Sequence, residues 1–388
     1  MKVVFISGML PSGHYSQYLT GGLTSVPGIE LIVYSDKNPA NLAIRGCGRI
    51  KGVWSRSVAY IPQIIRELRK DKPDVVHVQY ELNMYGGIVT AALFPLLLLM
   101  LRGLRYKIVV TVHGAVYKRQ IDPEFISLFH RDSVLLRPAF LKAFFHYVFK
   151  VVSICSDRVI VHTHLTKDIL VSDYGMNADS IRIIPIAIPV RIIRNTNKES
   201  YFLYFGYMVR RKGLGFALEG FKKFVGKNPG TRHRLVLAGG VISGQEKAFD
   251  EIKDMIHMNG LQDKVTIKGF VEENELDQLY WGAEAVIIPA KVSMGSSGPL
   301  FHAVSYGKCV IVSKLGHFLE DVEHLQTGIL IDNDRWQEAF QFVADNPEKV
   351  SQIEHHVAQK ASARTPDVIA DSHMAVYRSA TQVPVSAV

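Results

Sequence analysis

The stretch "FGYMVRRKGL", residues 205–214, places the cations Arg210, Arg211 and Lys212 where an apolar strand gives way to an amphipathic helix. A helix begins with backbone N–H groups that have no partner inside the helix, and its dipole favours negative charge there. Cations fixed beside such donors stabilise the charge that builds on a departing diphosphate. The motif indicates a site that a diphosphate fits, with Arg210, Arg211 and Lys212 as its candidate ligands. The alternative is a solvated basic helix start.

A second element suited to a diphosphate is "SSGPL", which consists of Ser296, Ser297, Gly298, Pro299 and Leu300. Proline fits the first turn of a helix, and a glycine lets the backbone approach a ligand closely. The serine hydroxyls can cap the helix or reach a phosphate oxygen. The segment therefore predicts a second set of backbone donors, and its other interpretation is a plain helix cap.

Both motifs belong to a pattern of strands and helices that alternate along the whole chain. Near-continuous apolar runs are typical of parallel strands buried on both faces. Six such runs are predicted in each half: "KVVFISG", "IELIVYS", "DVVHVQY", "KIVVTVHG", "RVIVHT" and "IRIIPI", then "YFLYFGYM", "HRLVLAGG", "KVTIKGF", "AVIIPA", "CVIVS" and "GILI". The prediction is two doubly wound, Rossmann-like α/β domains that face a deep cleft, where ligands bind at the carboxyl ends of the strands.

The boundary between the domains is predicted in "IAIPVRIIRNTNKES", residues 186–200, where the apolar periodicity stops and prolines, asparagines and charges gather. Residues 1–190 are assigned to an N-terminal domain and residues 191–388 to a C-terminal domain. The prediction allows the last helix of the chain to cross back to the N-terminal domain.

The charges and cysteines limit the partners and the compartment. Residues 1–195 hold 24 Lys/Arg against 13 Asp/Glu, whereas residues 196–388 hold 21 against 23. The basic half favours an anionic partner, and because no nucleic-acid motif accompanies it, an anionic membrane surface is preferred. Three distant cysteines and a strand-like N-terminus favour the cytoplasm over secretion, and no metal-binding spacing is present.

Two apolar segments are long enough or amphipathic enough to raise the question of membrane contact. Residues 84–103 include about eighteen consecutive uncharged residues, but their place between two strands, together with Pro95, favours a crossover helix over a membrane span. Residues 135–150, "LLRPAFLKAFFHYVFK", interleave aromatic and basic residues. That pattern predicts an interfacial helix, with a core helix that has a solvated basic face as the alternative.

The order of the motifs resembles one family. The sequence is similar to the retaining GT-B glycosyltransferases of family 4, the glycosyl transferases group 1. The resemblance rests on "YLTGGL", "TVHG", "RVIVHTHLTKDIL", "FGYMVRRKGL", "LVLAGG", "IKGFVEENELDQLYWGAEAVIIPA" and "SSGPLFHAVSYGKCVIVS".

The resemblance implies transfer of a hexose from a UDP- or GDP-linked donor to an acceptor hydroxyl, with retention and without a metal or other cofactor. The acceptor is expected to be a glycan or a lipid-linked saccharide in polysaccharide or glycolipid synthesis. It implies that the N-terminal domain binds the acceptor and the C-terminal domain the nucleotide sugar. It also implies His113, near the reacting sugar, and Arg211 and Lys212, at the diphosphate, as catalytic residues. It assigns Gly21 and Gly22, in the first loop, and Gly206, Gly239 and Val271, near strand ends, to donor binding.

The sequence departs from the family at three positions. Tyr207 stands where an arginine is usual, and Met294 and His302 stand where the family carries two glutamates. An imidazole can still bond a ribose hydroxyl, so His302 is assigned to donor binding. Because these changes are also what decay of an enzyme would produce, a non-catalytic GT-B partner protein remains the main alternative, followed by a sugar-nucleotide epimerase.

Overall fold

A computed structural model describes residues 1–8, 14–38, 46–82, 84–129, 137–191, 198–242 and 244–382. They form two compact units, each built on its own sheet. Unit 1 comprises Met1–Pro123, Val134–Ala187 and Arg364–Val388, and unit 2 comprises Glu124–Ser133 and Ile188–Ala363. The two parallel-sheet α/β domains predicted from the alternating pattern are confirmed.

The sheet of unit 1 runs in the order β3-β2-β1-β4-β5-β6-β7, and all of its pairs are parallel. After β1 the chain builds β2 and β3 on one side and then returns to β4 on the other, which creates the switch point of a doubly wound sheet. The strands are β1 (Lys2–Ile6), β2 (Glu30–Asp36), β3 (Arg49–Trp54), β4 (Val75–Tyr80), β5 (Ile108–Val112), β6 (Arg158–Val161) and β7 (Ile181–Ile183).

Strand β3 is absent from the prediction. It forms an edge of the sheet, and only its last two residues, Val53 and Trp54, are buried. Because the remaining positions are at least partly exposed, its sequence lacks the continuous apolar run that marks the central strands.

The sheet of unit 2 has the order β10-β9-β8-β11-β12-β13, again with parallel pairs, and its six strands match the prediction. Its switch point lies between β8 and β11. The strands are β8 (Tyr201–Phe205), β9 (Arg234–Ala238), β10 (Val265–Gly269), β11 (Ala285–Ile288), β12 (Val310–Ser313) and β13 (Ile329–Ile331).

Helices connect the strands and cover both sheets. Residues 84–103 contain two short helices, separated at Leu93, rather than one long helix, and Pro95 lies in the first turn of the second. In chain order the helices are α1 (His14–Thr24), α2 (Tyr60–Asp71), α3 (Ile88–Ala92), α4 (Phe94–Gly103), α5 (Pro123–Phe129), α6 (Pro138–Cys155), α7 (His164–Ser172), α8 (Leu214–Lys227), α9 (Glu246–Met258), α10 (Glu273–Gly282), α11 (Gly298–Ser305), α12 (Phe318–Asp321), α13 (Trp336–Asp345), α14 (Pro347–Ser362) and α15 (Pro366–Thr381).

The first division between the units follows Ala187, whereas the sequence placed it after residue 190. Arg191, the first residue of the predicted C-terminal domain, is held by unit 2. Its backbone N–H donates to the Ser305 carbonyl at 3.0 Å, and its guanidinium donates to Asp277 Oδ1 at 2.8 Å. These bonds attach the start of the linker to unit 2. Residues 192–197 of the predicted linker lie outside the described residues.

The last helix, α15, belongs to unit 1. It packs on α1, and its buried residues Ile369, Met374 and Tyr377 join the same core as β1 and β2. The Tyr377 hydroxyl also bonds Nδ1 of the buried His77 on β4 at 2.7 Å. Unit 1 is therefore completed by the C-terminal end of the described chain.

Gly21 and Gly22 lie inside helix α1, not in the loop where the sequence analysis placed them. A Cβ added to Gly22 would lie 2.3 Å from the Pro366 carbonyl oxygen, which is closer than van der Waals contact permits. The absence of a side chain therefore allows the start of α15 to lie against α1. This packing explains Gly22 without reference to a ligand.

The close approach at Gly22 predicts that Gly22→Ala destabilises unit 1. Alanine favours a helix over glycine by about 1 kcal/mol, but the added methyl must displace α15, which costs roughly 1–3 kcal/mol. Calorimetric melting should show a lower Tm. The control is Gly226→Ala in α8, where the new Cβ meets no atom within 4 Å and the Tm should stay the same or rise. An unchanged Tm for Gly22→Ala would contradict this packing.

Candidate functional site

The carboxyl ends of β8 and β9 are followed by two glycines whose backbones are in contact. Gly206 and Gly239 have φ values of 145° and 141°, and a Cβ on Gly239 would lie 2.0 Å from the Gly206 carbonyl oxygen. Gly239 in turn donates its N–H to the Gly269 carbonyl at 2.7 Å, and the buried Val271 follows shortly after. The structure thus brings the predicted Gly206 and Gly239 into contact and places Val271 just beyond the neighbouring strand end.

The basic motif forms a 3-10 turn, Arg210–Lys212, between β8 and α8. Gly213 ends the turn with a φ of 63°, and a Cβ there would lie 2.9 Å from the carbonyl carbon of Ala290. The Lys291 N–H donates to the Arg211 carbonyl at 2.9 Å. These contacts hold the basic turn against the loop that follows β11. Sequence reasoning missed Gly213, although its place directly after the cations was visible.

The three cations have different surroundings. Arg210 makes a bidentate ion pair with Glu251 on α9, with Nε at 2.9 Å and a terminal nitrogen at 2.6 Å from the two carboxylate oxygens. That pair neutralises much of its charge. The Arg211 guanidinium lies 5.8 Å from the ring centroid of Phe129.

Lys212 has a perturbed amine. Burial lowers its pKa to about 7, and the adjacent charge of Arg211 acts in the same direction. Among the described residues, none hydrogen-bonds its Nζ. An anion bound beside this amine would raise its pKa again, because the negative charge stabilises the protonated amine. A strongly perturbed lysine at the end of a strand is a common property of functional sites.

The "SSGPL" segment forms the N-terminus of helix α11. Ser297 caps the helix by accepting a hydrogen bond from the Leu300 N–H at 3.4 Å. Pro299 lies in the first turn, and its Cγ is 3.5 Å from the point that a Cβ on Gly206 would occupy. A Cβ on Gly298 would meet no atom within 4 Å, and Ser296 Oγ is buried without a partner among the described residues. The helix start thus has open space beside its free donors.

His302 lies in the second turn of α11 and is only 8% exposed. Its ring centroid is 5.6 Å from Phe205, 6.0 Å from Tyr280 and 6.4 Å from Tyr306. An aromatic environment of this kind favours a neutral imidazole over a carboxylate. The ribose contact predicted for His302 stays a prediction.

A second histidine near this segment was missed. His317 is buried, and its Nδ1 lies 3.1 Å from Oγ of Ser293, next to Met294. Burial lowers the His317 pKa to about 4. No motif in the sequence indicates that residues 293 and 317 meet, because the pairing depends on where the loop after β12 returns.

In unit 1, His113 follows β5 and has internal partners at both ring nitrogens. Its Nε2 lies 2.8 Å from Oε1 of Gln79, and its Nδ1 lies 3.3 Å from Nε2 of His162. The Tyr15 ring packs edge-on against it at 4.8 Å. A hydrogen bond from either nitrogen to a sugar would therefore replace one of these bonds. Gln79 was not among the predicted site residues.

The tautomers in this cluster follow from one fixed acceptor. His162 Nδ1 lies 2.8 Å from the Ile184 carbonyl, so it donates, and its Nε2 accepts from His113 Nδ1. Nε2 of His113 must then accept, which requires the Gln79 amide to be turned over so that its NH2 group, rather than Oε1, faces this ring. The Gln79 oxygen in turn accepts from Nε2 of His77, which is 2.9 Å from the amide. With the amide in this orientation, each hydrogen bond in this series of side chains has one donor and one acceptor.

The histidines of this cluster are neutral. Burial lowers the pKa of His113 and of His77 well below the usual range, and neighbouring histidines act in the same direction. Burial also lowers the pKa of His162, to about 4. No group of three or more His, Cys, Asp or Glu among the described residues is arranged to hold a metal ion.

Two family models match adjoining parts of the chain. Residues 14–191 match the model described as Glycosyltransferase Family 4, and residues 190–357 match the model described as Glycosyl transferases group 1. The two models meet at the division between the units.

Two relatives show similarity at low identity. Mannosylfructose-phosphate synthase of Agrobacterium fabrum is 26% identical over 39% of this chain and 40% of its own length. The O-antigen chain mannosyltransferase of Salmonella typhimurium is 24% identical over 56% of this chain and 60% of its own length. The chain thus covers less than two thirds of the length of these relatives.

Solved structures match over nearly the whole chain. Anabaena HepE in complex with UDP-glucose has a TM-score of 0.76 at 14% identity and covers 98% of this chain and 100% of its own. Sucrose-phosphate synthase from Thermosynechococcus elongatus has a TM-score of 0.74 at 16% identity and covers 97% of this chain and 98% of its own. At such identities the likeness establishes the fold, which is GT-B. Together with the two family models, it shows that this chain belongs to the family 4 and group 1 glycosyltransferases.

Proposed function

We propose that the chain transfers a hexose from a UDP- or GDP-linked donor to a hydroxyl of a glycan or lipid-linked saccharide, with retention and without a metal. The observation that carries this proposal is the meeting of the Arg210–Lys212 turn, the glycine pair at the ends of β8 and β9, and the start of α11. Relatives named as a mannosyltransferase and a sugar phosphate synthase support hexose transfer, and HepE solved with UDP-glucose supports a UDP-linked donor.

In the proposed reaction, unit 2 stabilises the leaving nucleoside diphosphate. Lys212 and Arg211 supply positive charge on one side, and the backbone N–H groups of Gly298 and its neighbours supply hydrogen bonds on the other. Such donors act most strongly on the charge that develops as the sugar–phosphate bond breaks. The departing phosphate then takes the proton of the incoming hydroxyl on the same face of the sugar, so no strong protein base is needed.

His113 is proposed to position the reacting sugar as a neutral ring. Its Gln79 partner fixes the ring orientation, and a sugar hydroxyl would displace or share that bond. Because burial keeps its pKa low, the ring adds no positive charge and does not act as a strong acid. We place the reaction in the cytoplasm, which the lack of any disulfide among the three cysteines supports.

A second candidate is a GT-B protein that binds a nucleotide without turnover. The replacement of the two family glutamates by Met294 and His302 favours it, because a thioether cannot grip sugar hydroxyls as a carboxylate does. The cations and helix donors that would act on the leaving group remain, and for that reason we prefer the enzyme. An epimerase would be expected to use carboxylates as acid and base, and neither Met294 nor His302 is a carboxylate.

Donor turnover separates these candidates. Purified protein incubated with a panel of UDP- and GDP-sugars, with and without lipid extract, should release nucleoside diphosphate from one donor. Lys212→Ala should slow the release on the order of 10²–10³-fold, because it removes a group that stabilises the leaving charge. The matched control is Lys222→Ala on the exposed side of α8. Nucleotide binding without release from any donor would favour the non-catalytic candidate.

The Lys212 amine predicts a pH-dependent affinity for UDP. Its pKa of about 7 in the free protein means that an anion binds the protonated form and raises that pKa. Affinity should therefore fall as the pH rises from about 7 to about 9, by up to about tenfold per pH unit. Calorimetry should also detect proton uptake on binding. Lys212→Arg should flatten the dependence because a guanidinium stays charged. A flat profile in the unmodified protein would remove Lys212 from the diphosphate site.

The assignment of His302 to ribose makes a separate prediction. His302→Ala should lose about 1–2 kcal/mol of UDP binding, because a hydrogen bond to the ribose is lost. Met294→Glu should change the preference among donor sugars while UDP affinity stays the same, since that position corresponds to the glutamate that contacts the sugar. Both are measured by calorimetry on protein shown by circular dichroism to be folded. Unchanged UDP affinity in folded His302→Ala would rule out the ribose contact.

A further inference from the structure

Exposed apolar side chains are concentrated on three helices of unit 1. Of the eighteen large hydrophobic side chains that are exposed among the described residues, nine lie on α3, α4 and α6 or at the end of α4, each between 38% and 63% exposed. We call them the α3–α4–α6 surface: Ile88, Val89, Leu96, Leu99, Met100, Leu104, Phe140, Tyr147 and Ile154. An apolar concentration of this kind marks an interaction site.

The helical spacing shows that the exposed stripes are distinct from the core. On α4, Leu96, Leu99 and Met100 recur at three- and four-residue intervals, opposite the buried residues Leu97, Leu98 and Leu101. Each of these helices thus has two apolar sides, of which one packs in the fold and the other faces outward. A helix on the surface of an ordinary globular protein has only one apolar side.

The outward stripes lie on the same side of the sheet. Strands β4, β5 and β6 are successive neighbours, and right-handed crossovers between them place α4 and α6 on one face. The structure shows α4 packed against both α3 and α6. The α3–α4–α6 surface is therefore one continuous layer.

The charges of the helices in this layer are cationic. Residues 82–121 and 138–155 contain no Asp or Glu. Asp157, just beyond α6, pairs with Arg102 at 3.3 Å and with Lys107 at 3.8 Å. Other cations on or beside these helices are partly or fully exposed, among them Arg105, Arg119, Arg137, Lys142 and Lys150. An apolar centre with a cationic margin is complementary to an anionic lipid surface, where phosphates lie just above the acyl chains.

Two other occupants fit less well. A second copy paired through a two-fold axis would bring like charges together, which is unfavourable. A membrane span is also excluded for α6, although this helix is long and apolar enough by length and composition, because Phe145, Val148, Phe149 and Val152 are buried in unit 1. Insertion across a bilayer would remove these residues from the core.

We propose that the α3–α4–α6 surface docks unit 1 on an anionic bilayer, with the apolar side chains inserted at the level of the headgroups and the cations against the phosphates. This inference is independent of the transferase activity proposed above. If that activity is correct, docking would favour an acceptor that is itself held in the membrane.

Vesicle flotation without any donor tests the proposal. The protein should float with vesicles of phosphatidylcholine mixed with phosphatidylglycerol, bind vesicles of phosphatidylcholine alone weakly, and be released by salt. Lys142→Glu/Lys150→Glu should weaken binding at least about tenfold, because each cation near the surface contributes roughly fivefold. Phe140→Ser/Tyr147→Ser should weaken it to a similar degree. In Phe140→Trp the emission should shift to the blue on binding.

Matched controls lie on unit 2. Lys222→Glu/Lys223→Glu makes the same change of charge at exposed positions of α8, and Met258→Ser/Leu319→Ser removes exposed apolar side chains at positions 77% and 51% exposed. Both should float like the parent. Failure of the parent to bind anionic vesicles, or equal loss in variants and controls, would overturn the proposal. So would a dimer in sedimentation experiments that Phe140→Ser/Tyr147→Ser dissociates. Donor turnover in lipid-free buffer, measured on the same samples, reports separately on the activity.

Discussion

The site in unit 2 depends on a steric constraint at the end of β8. The backbones of Gly206 and Gly239 are in contact, and Gly206 also borders Pro299 at the start of α11. Any side chain at Gly239 would separate these strand ends. Because the basic turn is held against the loop after β11 through Gly213 and Lys291, the cations and the helix donors share one backbone framework. The chemistry therefore rests on glycines as much as on the charged residues.

Much of this arrangement could be predicted from local sequence. Apolar runs identified the central strands, and the anion-binding motifs were visible because a strand end, a cluster of cations and a helix start are adjacent in the chain. Contacts between distant segments could not be predicted. The ion pair of Arg210 with Glu251 joins residues 41 positions apart, and no local motif indicates it. Likewise, the aromatic rings around His302 come from β8, α10 and α11.

Position in a motif was also a poor guide to the role of a glycine. The pair at residues 21 and 22 resembled a phosphate-binding loop, yet Gly22 is explained by its contact with Pro366, hundreds of residues away in the chain. Edge strand β3 escaped prediction for a related reason, since partial exposure breaks up its apolar pattern. Residue propensities and the apolar pattern of a sequence indicate which positions are buried. They carry little information about which distant part of the backbone approaches a given residue.

The membership of α15 in unit 1 places the main segment of unit 2, Ile188–Ala363, between two parts of unit 1. During synthesis the chain emerges from the ribosome from its N-terminus, so Ile188–Ala363 is complete before Tyr377 is available to bond His77. Unit 2 can therefore fold first, while α15 does not yet cover the sheet of unit 1. Unit 1 can complete its core only after α15 has been synthesised, and until then the apolar residues that α15 covers remain exposed to water and to chaperones.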